Sequence, residues 1–202
     1  LQSLPHCAER YFYIGLAHYN LHSFEKAASV FKIVMDQYSS SKFAGKAEYY
    51  RYAAGLMLGY NNAAERGLKD FVKSRPLDDY ADNARFALAE YYLKNKRQKE
   101  ALEQLKSIRS NFENNEISRA ALWLEANIYY KNKEYNKATG VLSLYIRNIT
   151  KKDELTKALY WRGKIYEAQG QLPLAARDFL DVIIKDPMSF YTYRAFYKIK
   201  DI

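Results

Sequence analysis

The apolar positions of this chain fall into blocks that repeat. Ala27, Ala64, Ala101, Ala138 and Ala175 stand 37 residues apart. Four residues after each comes a large apolar side chain, Phe31, Leu68, Leu105, Leu142 and Phe179, and three further on come Val34, Phe71, Ile108, Tyr145 and Val182. Steps of four and three put all three positions on one stripe of a helix. Fifteen residues before each alanine stands an aromatic residue, Phe12, Tyr49, Phe86, Trp123 and Tyr160. Three later comes a mostly small residue, Gly15, Tyr52, Ala89, Ala126 and Gly163, with Tyr52 the exception, and three beyond that His18, Gly55, Tyr92, Tyr129 and Tyr166. This is the stripe of a second helix, whose small residues allow the two backbones to approach closely.

Short turns such as "NLHS", "KNKR", "KNKE" and "AQGQ" separate the two helices of each unit. Between units lie "YSSSK", "SRPLDD", "NFENNE", "NITKKDE" and "KDPMS", with Ser41, Asp78 or Asp79, Asn115, Asp153 and Ser189 as candidate N-caps. Each unit is a helical hairpin that cannot bury its apolar face alone, so neighbours must stack. No strand alternation of useful length competes. The expected fold is all-α: a right-handed superhelix (solenoid) of about eleven helices, in a single repeat domain over residues 1–202. Its five hairpins fall at about 8–44, 45–81, 82–118, 119–155 and 156–190, followed by a terminal helix at 189–202.

Composition agrees with a folded domain: 49% of residues are hydrophobic, which rules out disorder. No stretch approaches the roughly 20 consecutive apolar residues of a membrane span. The chain opens at Leu1 with no initiator methionine and no secretory n-region, and reads as an excerpt from a longer polypeptide. With Cys7 as its one cysteine it forms no internal disulfide and no multi-cysteine metal site. The net charge of +9 favours anionic partners, but the basic residues are spread along the chain, with densities in the turns at 94–99 and 131–133. Nor does any regular pair of base-reading residues recur per unit, so nucleic acid is not the expected partner.

The search for chemistry returns little. Glu90, Glu125 and Glu167 lie on first helices at different phases, specify no glycosidase pair and read as solvated carboxylates. His18 and His22 have a metal-compatible spacing, but His18 falls at a packing phase and His22 in a turn, where Gly59 and Gly170 sit; His6 is the only other histidine. There is no phosphate-cradling glycine loop, no local signature of a nucleophilic triad, and no sign of a cofactor. "NIT" at 148–150 is a formal glycosylation sequon taken as chance. The surplus is aromatic, with 20 Tyr, 10 Phe and 2 Trp. Rings of this kind stack on sugars or peptides at low entropic cost. In a hairpin superhelix the first helices line the concave groove, which makes Tyr19, Tyr50, Asn127, Tyr130, Trp161 and Lys164 the candidate binding residues. The row Phe12, Tyr49, Phe86, Trp123, Tyr160 reads as core.

The order of small residue, tyrosine, alanine and bulky apolar residue, with Pro76 and Pro187 after two of the pairs, resembles the tetratricopeptide repeat over nearly the whole chain. Two features depart from that pattern. The spacing is 37 where 34 is usual, and the early tryptophan of the first helix is displaced or replaced. A second resemblance covers about 40 residues at the C-terminal end, "ALYWRGKIYEAQGQLPLAARDFLDVIIKDPMSFYTYRAFYKI", through Tyr160, Trp161, Gly170, Ala175, Phe190, Tyr191 and Ala195. This segment is similar to the last superhelical segment of soluble lytic murein transglycosylases, which precedes their catalytic domain. That resemblance implies a non-catalytic scaffold of a periplasmic peptidoglycan-cleaving enzyme, which positions the enzyme or the glycan strand. The catalytic Glu-Ser context of such enzymes is absent here, since no "ES" dipeptide occurs. The other expectation is a tetratricopeptide interaction module of a bacterial envelope assembly or secretion complex, with a protein or peptide partner.

Overall fold

In the computed structural model, residues 4–110 and 115–202 are described; the connector at 111–114 and the side chain of His6 lie outside them. The described residues form eleven α-helices and no strand: α1 (Leu4–Asn20), α2 (Phe24–Gln37), α3 (Ala44–Met57), α4 (Asn61–Ser74), α5 (Ala81–Lys94), α6 (Gln98–Ser110), α7 (Glu116–Lys131), α8 (Tyr135–Arg147), α9 (Lys152–Ala168), α10 (Leu172–Lys185) and α11 (Phe190–Lys200). They divide into two compact units, Leu1–Ile108 and Arg109–Ile202. In the first, successive helices from α1 to α5 pack on one another, and α1 and α5 each also touch α3. In the second, α7 to α11 pack in the same sequential manner, with α11 also against α9.

The turn inside each hairpin is as periodic as the helices. His22, Gly59, Lys96, Lys133 and Gly170, again 37 apart, all have positive φ, between 57° and 82°. Around each, two backbone bonds close the helix end. The amide of the next residue donates to a carbonyl five positions back, as in Ser23 to His18 at 2.8 Å and Gln171 to Tyr166 at 2.9 Å. The left-handed residue itself donates three back, as in Lys133 to Tyr130 at 3.0 Å. This is the Schellman closure, which satisfies carbonyls that a helix end otherwise leaves bare. Glycine is present at two of the five positions, while His22, Lys96 and Lys133 hold the left-handed conformation at a cost of about 1–2 kcal/mol each.

The N-termini follow the expected caps only in part. Asn115 accepts from the Ser118 amide at 2.8 Å and Ser189 from that of Thr192 at 3.1 Å, as expected. Ser41 and Asp78 instead fold back on amides two residues ahead, those of Phe43 and Tyr80, so each shapes the approach and the helix starts after it. The capping positions there are Phe43 and Tyr80 themselves. Asp153 sits in the first turn of α9, beyond the capping Lys151, where its charge meets the positive end of the helix.

The second-helix stripe is core throughout. From Ala27, Phe31 and Val34 to Ala175, Phe179 and Val182, all fifteen positions are buried. A large apolar side chain contributes about 1.5–3 kcal/mol when buried, so these stripes carry much of each unit's stability. The small residues opposite have the expected cause. A Cβ on Gly15 would lie 2.7 Å from the Phe31 ring, and one on Gly163 would lie 2.8 Å from that of Phe179. The exception, Tyr52, is explained by its partner helix: α4 places Gly67 where the other second helices carry a larger residue, and the Tyr52 ring fills that space. Bulk has changed sides within the hairpin.

A further alanine row, Ala47, Ala84, Ala121, Ala158 and Ala195, is buried on the first helices. Its last member puts α11 in the register of a first helix. There Tyr193, Phe196 and Tyr197 remain exposed.

Polar groups lock each unit. In the first, Glu65 on α4 accepts from both terminal nitrogens of Arg97, at 2.9 and 3.1 Å, and from the Tyr92 hydroxyl at 3.2 Å. In the second, Arg162 on α9 grips Asp178 on α10 through two bonds of 2.7 Å and reaches Ser143 on α8 at 3.1 Å, tying three helices together. Glu125 departs from the solvated carboxylate expected of it. It is fully buried on α7, where Arg109 approaches to 3.4 Å and Tyr129 packs beside it. A charge can be buried at that depth because a cation reaches it.

Candidate binding site

The six candidate residues fall on three registers of the first helices, each stepping by 37. One holds Tyr13, Tyr50, Ala87, Leu124 and Trp161; the next Leu16, Ala53, Glu90, Asn127 and Lys164; the third Tyr19, Leu56, Leu93, Tyr130 and Glu167. Side-chain size along these rows decides where space is left.

In the first unit a cavity of about 250 Å³ opens between α1, α3 and α5. Tyr19, Tyr49 and Tyr91 border it, Ala53 and Ala87 lie in its wall, and Glu90 stands in it together with Lys94. The space exists because two rows supply alanine: Ala87 stands where Trp161 stands two repeats later, and Ala53 where Asn127 and Lys164 follow. Glu90 is exposed on one side, yet the cavity wall desolvates it enough to push its carboxyl above the usual carboxylate range. Burial also raises the Tyr19 hydroxyl, with smaller contributions from Tyr50 and Glu90, and raises that of Tyr49 further. The neighbouring Tyr80 is pushed up to about 12, again mainly by burial. All three phenols are therefore neutral at physiological pH.

Of the two candidates in this unit, Tyr19 lines the cavity and Tyr50 does not. Tyr50 stacks on Phe31 at 5.5 Å and takes the edges of Phe12 and Tyr19 at 6.0 and 5.3 Å, as part of the packing around the first core. Its row partner in the next repeat is Ala87, so the cavity opens one helix further along.

In the second unit the structure brings the other four together. Tyr130 meets Trp161 edge to face at 5.9 Å, the Lys164 ammonium lies 5.4 Å from the indole centroid, and the Asn127 amide donates to the Trp123 carbonyl at 2.8 Å. The space left among these side chains is about 10 Å³, room for at most one water. Trp161 fills the place that Ala87 leaves open. What this cluster offers a ligand is a half-exposed aromatic surface, with no pocket.

Two features of the site run against the sequence expectation. Of the aromatic row assigned to the core, Phe12 and Tyr160 are buried, but Tyr49, Phe86 and Trp123 are only half-buried. Tyr49 faces the void left by the two alanines, and Trp123 is too large to be enclosed and takes Lys157 over its face at 4.2 Å. Glu90, expected to be simply solvated, is a wall of the cavity. The signal that finds both is the placement of Ala53 and Ala87 within rows that otherwise carry bulk. Among the described residues no group of three His, Cys, Asp or Glu side chains is placed to hold a metal ion. No helix among them is long and apolar enough to cross a membrane.

Residues 157–187, one hairpin of the five, match the family model described as tetratricopeptide repeat. No curated protein matches the sequence significantly. Among solved structures the chain is similar to MamA residues 41 to the end from Desulfovibrio magneticus RS-1, at 19% identity and a TM-score of 0.65, with 91% of this chain and 97% of that one covered. A Podosopora anserina putative kinesin light chain with nearly identical TPR-like repeats aligns at 14% identity and a TM-score of 0.64, over 90% and 95% of the two chains. The C-terminal part of a TPR repeat-containing protein from Cytophaga hutchinsonii gives a TM-score of 0.69 at 15% identity, covering 88% of this chain and 67% of that one. At these identities the likeness concerns the fold. The helical hairpins of this chain are tetratricopeptide-like repeats.

Proposed function

We propose that this chain is a non-catalytic scaffold that binds a segment of a partner protein, with the first-unit cavity as its principal contact. The observation that supports this reading is the cavity itself, a preformed space of about 250 Å³ walled by tyrosines on rigid helices. A preformed wall spares part of the ordering cost of association, and tyrosines offer ring area and a hydroxyl at little entropic expense. The test is to fill the cavity with the residue the chain itself uses two repeats later. A library of random 12-mer peptides displayed on phage is selected on the folded chain and on Ala87→Trp, whose helicity by circular dichroism serves as the folding control. The reading expects peptides retained by the natural chain and lost by the filled variant. Equal retention by both refutes it.

The Tyr130–Trp161 surface favours a second reading, in which the partner is a glycan strand. It joins the similarity of the C-terminal segment to the superhelical region of lytic murein transglycosylases. On that reading the chain is the scaffold of a peptidoglycan-cleaving enzyme in the periplasm, and it positions the enzyme or the polymer. Sedimentation with purified sacculi at two salt concentrations tests it: Trp161→Ala and Tyr130→Ala must lower retention, and unchanged retention removes this surface from the account. If the first reading holds in a bacterial envelope protein, the same cavity serves an assembly or secretion complex.

A further inference from the structure

We propose that the first-unit cavity takes a lysine or arginine side chain of the bound segment, with Glu90 as its counter-ion and Tyr19, Tyr49 and Tyr91 as the aromatic wall along its stem. This rests on the reading of the cavity as a peptide site and names the chemistry of what enters it.

Three observations converge. The first is charge. Among the described residues Glu90 is the only acidic one lining the cavity and makes no ion pair, whereas Glu48, Glu65, Asp178 and Glu167 each have an arginine or lysine within reach. Lys94, one turn further along α5, also lines the cavity but is exposed and makes no ion pair with Glu90. The carboxylate thus bears a desolvation cost without a compensating charge, and a cation brought by a ligand supplies that compensation.

The second is the state of the rings. Elsewhere in the chain several aromatic faces are covered by the protein's own cations: Arg97 over Tyr92 at 4.4 Å, Lys157 over Trp123 at 4.2 Å and Arg194 over Phe190 at 4.7 Å. Among the described residues no lysine or arginine lies over Tyr19, Tyr49 or Tyr91, although Lys94 borders the same space. An alkylammonium or guanidinium entering between these rings gains there the interaction that Tyr92, Trp123 and Phe190 receive from the chain itself.

The third is shape. The space would hold about eight waters at liquid density, and its lining joins apolar Ala53, Leu56 and Ala87 to the Glu90 carboxylate. An amphipathic stem with a charged tip fits that division: methylenes against alanine, leucine and ring faces, and the cation at Glu90. An anionic side chain would face an uncompensated carboxylate. A wholly apolar one would seal Glu90 further from water with no partner.

The experiment extends the phage selection. Peptides selected on the natural chain are sequenced, and the strongest binder is synthesised together with its version carrying norleucine in place of the basic residue. Affinities for the natural chain and for Glu90→Gln are measured by calorimetry at fixed ionic strength. The expected result is enrichment of Lys or Arg at one position. Norleucine should weaken binding about ten-fold, and Glu90→Gln should weaken the basic peptide to a similar degree while leaving the norleucine peptide nearly unchanged. Peptides that bind the cavity without basic enrichment, or losses from the two changes that simply multiply, overturn the inference and leave the peptide-binding reading standing. If no peptide is retained, both fall.

Discussion

Replacing Gly163 with alanine puts the close helix approach under direct test. On an open helix surface this change stabilises, because glycine is about 1 kcal/mol poorer than alanine in a helix interior. At Gly163 the new methyl would lie 2.8, 3.0 and 3.2 Å from three atoms of the Phe179 ring. That ring is fully buried and is itself wedged against Tyr160 at 5.7 Å, so it has little room to withdraw. Overpacking of this kind costs about 1–3 kcal/mol, which outweighs the propensity gain and leaves a net loss of about 1 kcal/mol. Gly140, in the exposed middle of α8, is the internal control: a Cβ there meets nothing within 4 Å, so Gly140→Ala should stabilise by close to the full propensity difference. Both glycines lie in the second unit, as do both tryptophans, Trp123 and Trp161. Urea unfolding followed by tryptophan fluorescence therefore reads the stability of that unit. The two alanine variants should shift the midpoint in opposite directions at unchanged m-value. If Gly163→Ala stabilises as much as Gly140→Ala, the glycine is not held by contact with Phe179 and the packing argument for the whole row of small residues fails. A Phe179→Leu background provides a second check, since a smaller and more flexible partner should remove most of the cost at Gly163.

Three other outcomes follow from the same structure. Lys96→Gly and Lys133→Gly relieve left-handed backbones at φ 61° and should each raise stability by about 0.5–1 kcal/mol after the unfolded-state entropy of glycine is subtracted; Gly59→Ala, at φ 82°, should lower it, and thermal unfolding that ranks them otherwise contradicts the turn assignment. Asp178→Asn leaves Arg162 half-enclosed without its counter-charge and should cost the second unit about 3 kcal/mol; a loss under about 0.5 kcal/mol in urea unfolding would mean that the pair is dispensable. The Glu65 carboxyl is held down from 4.5 to about 2, chiefly by Arg97, with Lys69 and Tyr92 adding to the effect. A lowered folded-state value stabilises above about 4.5 and loses that contribution as pH falls toward 2, so Glu65→Gln should flatten stability against pH in that window, measured by helicity at 222 nm, and an unchanged slope would refute the assignment.

The repeat was legible because its strongest constraint is written in residue type. A buried second-helix stripe needs alanine, then bulk, then bulk, and the chain obeys at fifteen positions out of fifteen. The turns were legible for a related reason: His22 could be placed beside Gly59 and Gly170 by phase alone, and all three share the left-handed backbone. The N-caps were less so. Ser41 and Asp78 carry the right side chains, but each has a competing amide two residues away in its own turn, and local side-chain bonds of that kind compete with helix starts wherever Ser and Asp occur. The burial of Glu125 could not be read at all, because what permits it is an arginine 16 residues back, and no helical spacing announces that meeting.

The candidate site divides along the same line. The six candidates were read one by one, and Tyr19 lines the cavity, Tyr50 packs against the core, and Asn127, Tyr130, Trp161 and Lys164 gather in the second unit; the three registers they share were not read. Nor was the cavity, because reasoning from conspicuous residues looks for rings and charges, and a cavity is made where they are missing. A repeat protein fills each register with comparable bulk so that every hairpin supports the next. A cavity in such a protein is a local failure of that filling, and Ala53 followed by Ala87 is that failure here. The rings of Tyr19, Tyr49 and Tyr91 border it, whereas Tyr50, of the same residue type and next to Tyr49, is absorbed into packing because Phe31 lies against it. Position relative to the two alanines, more than aromatic character, separates the tyrosines that can meet a ligand from those that hold the fold together.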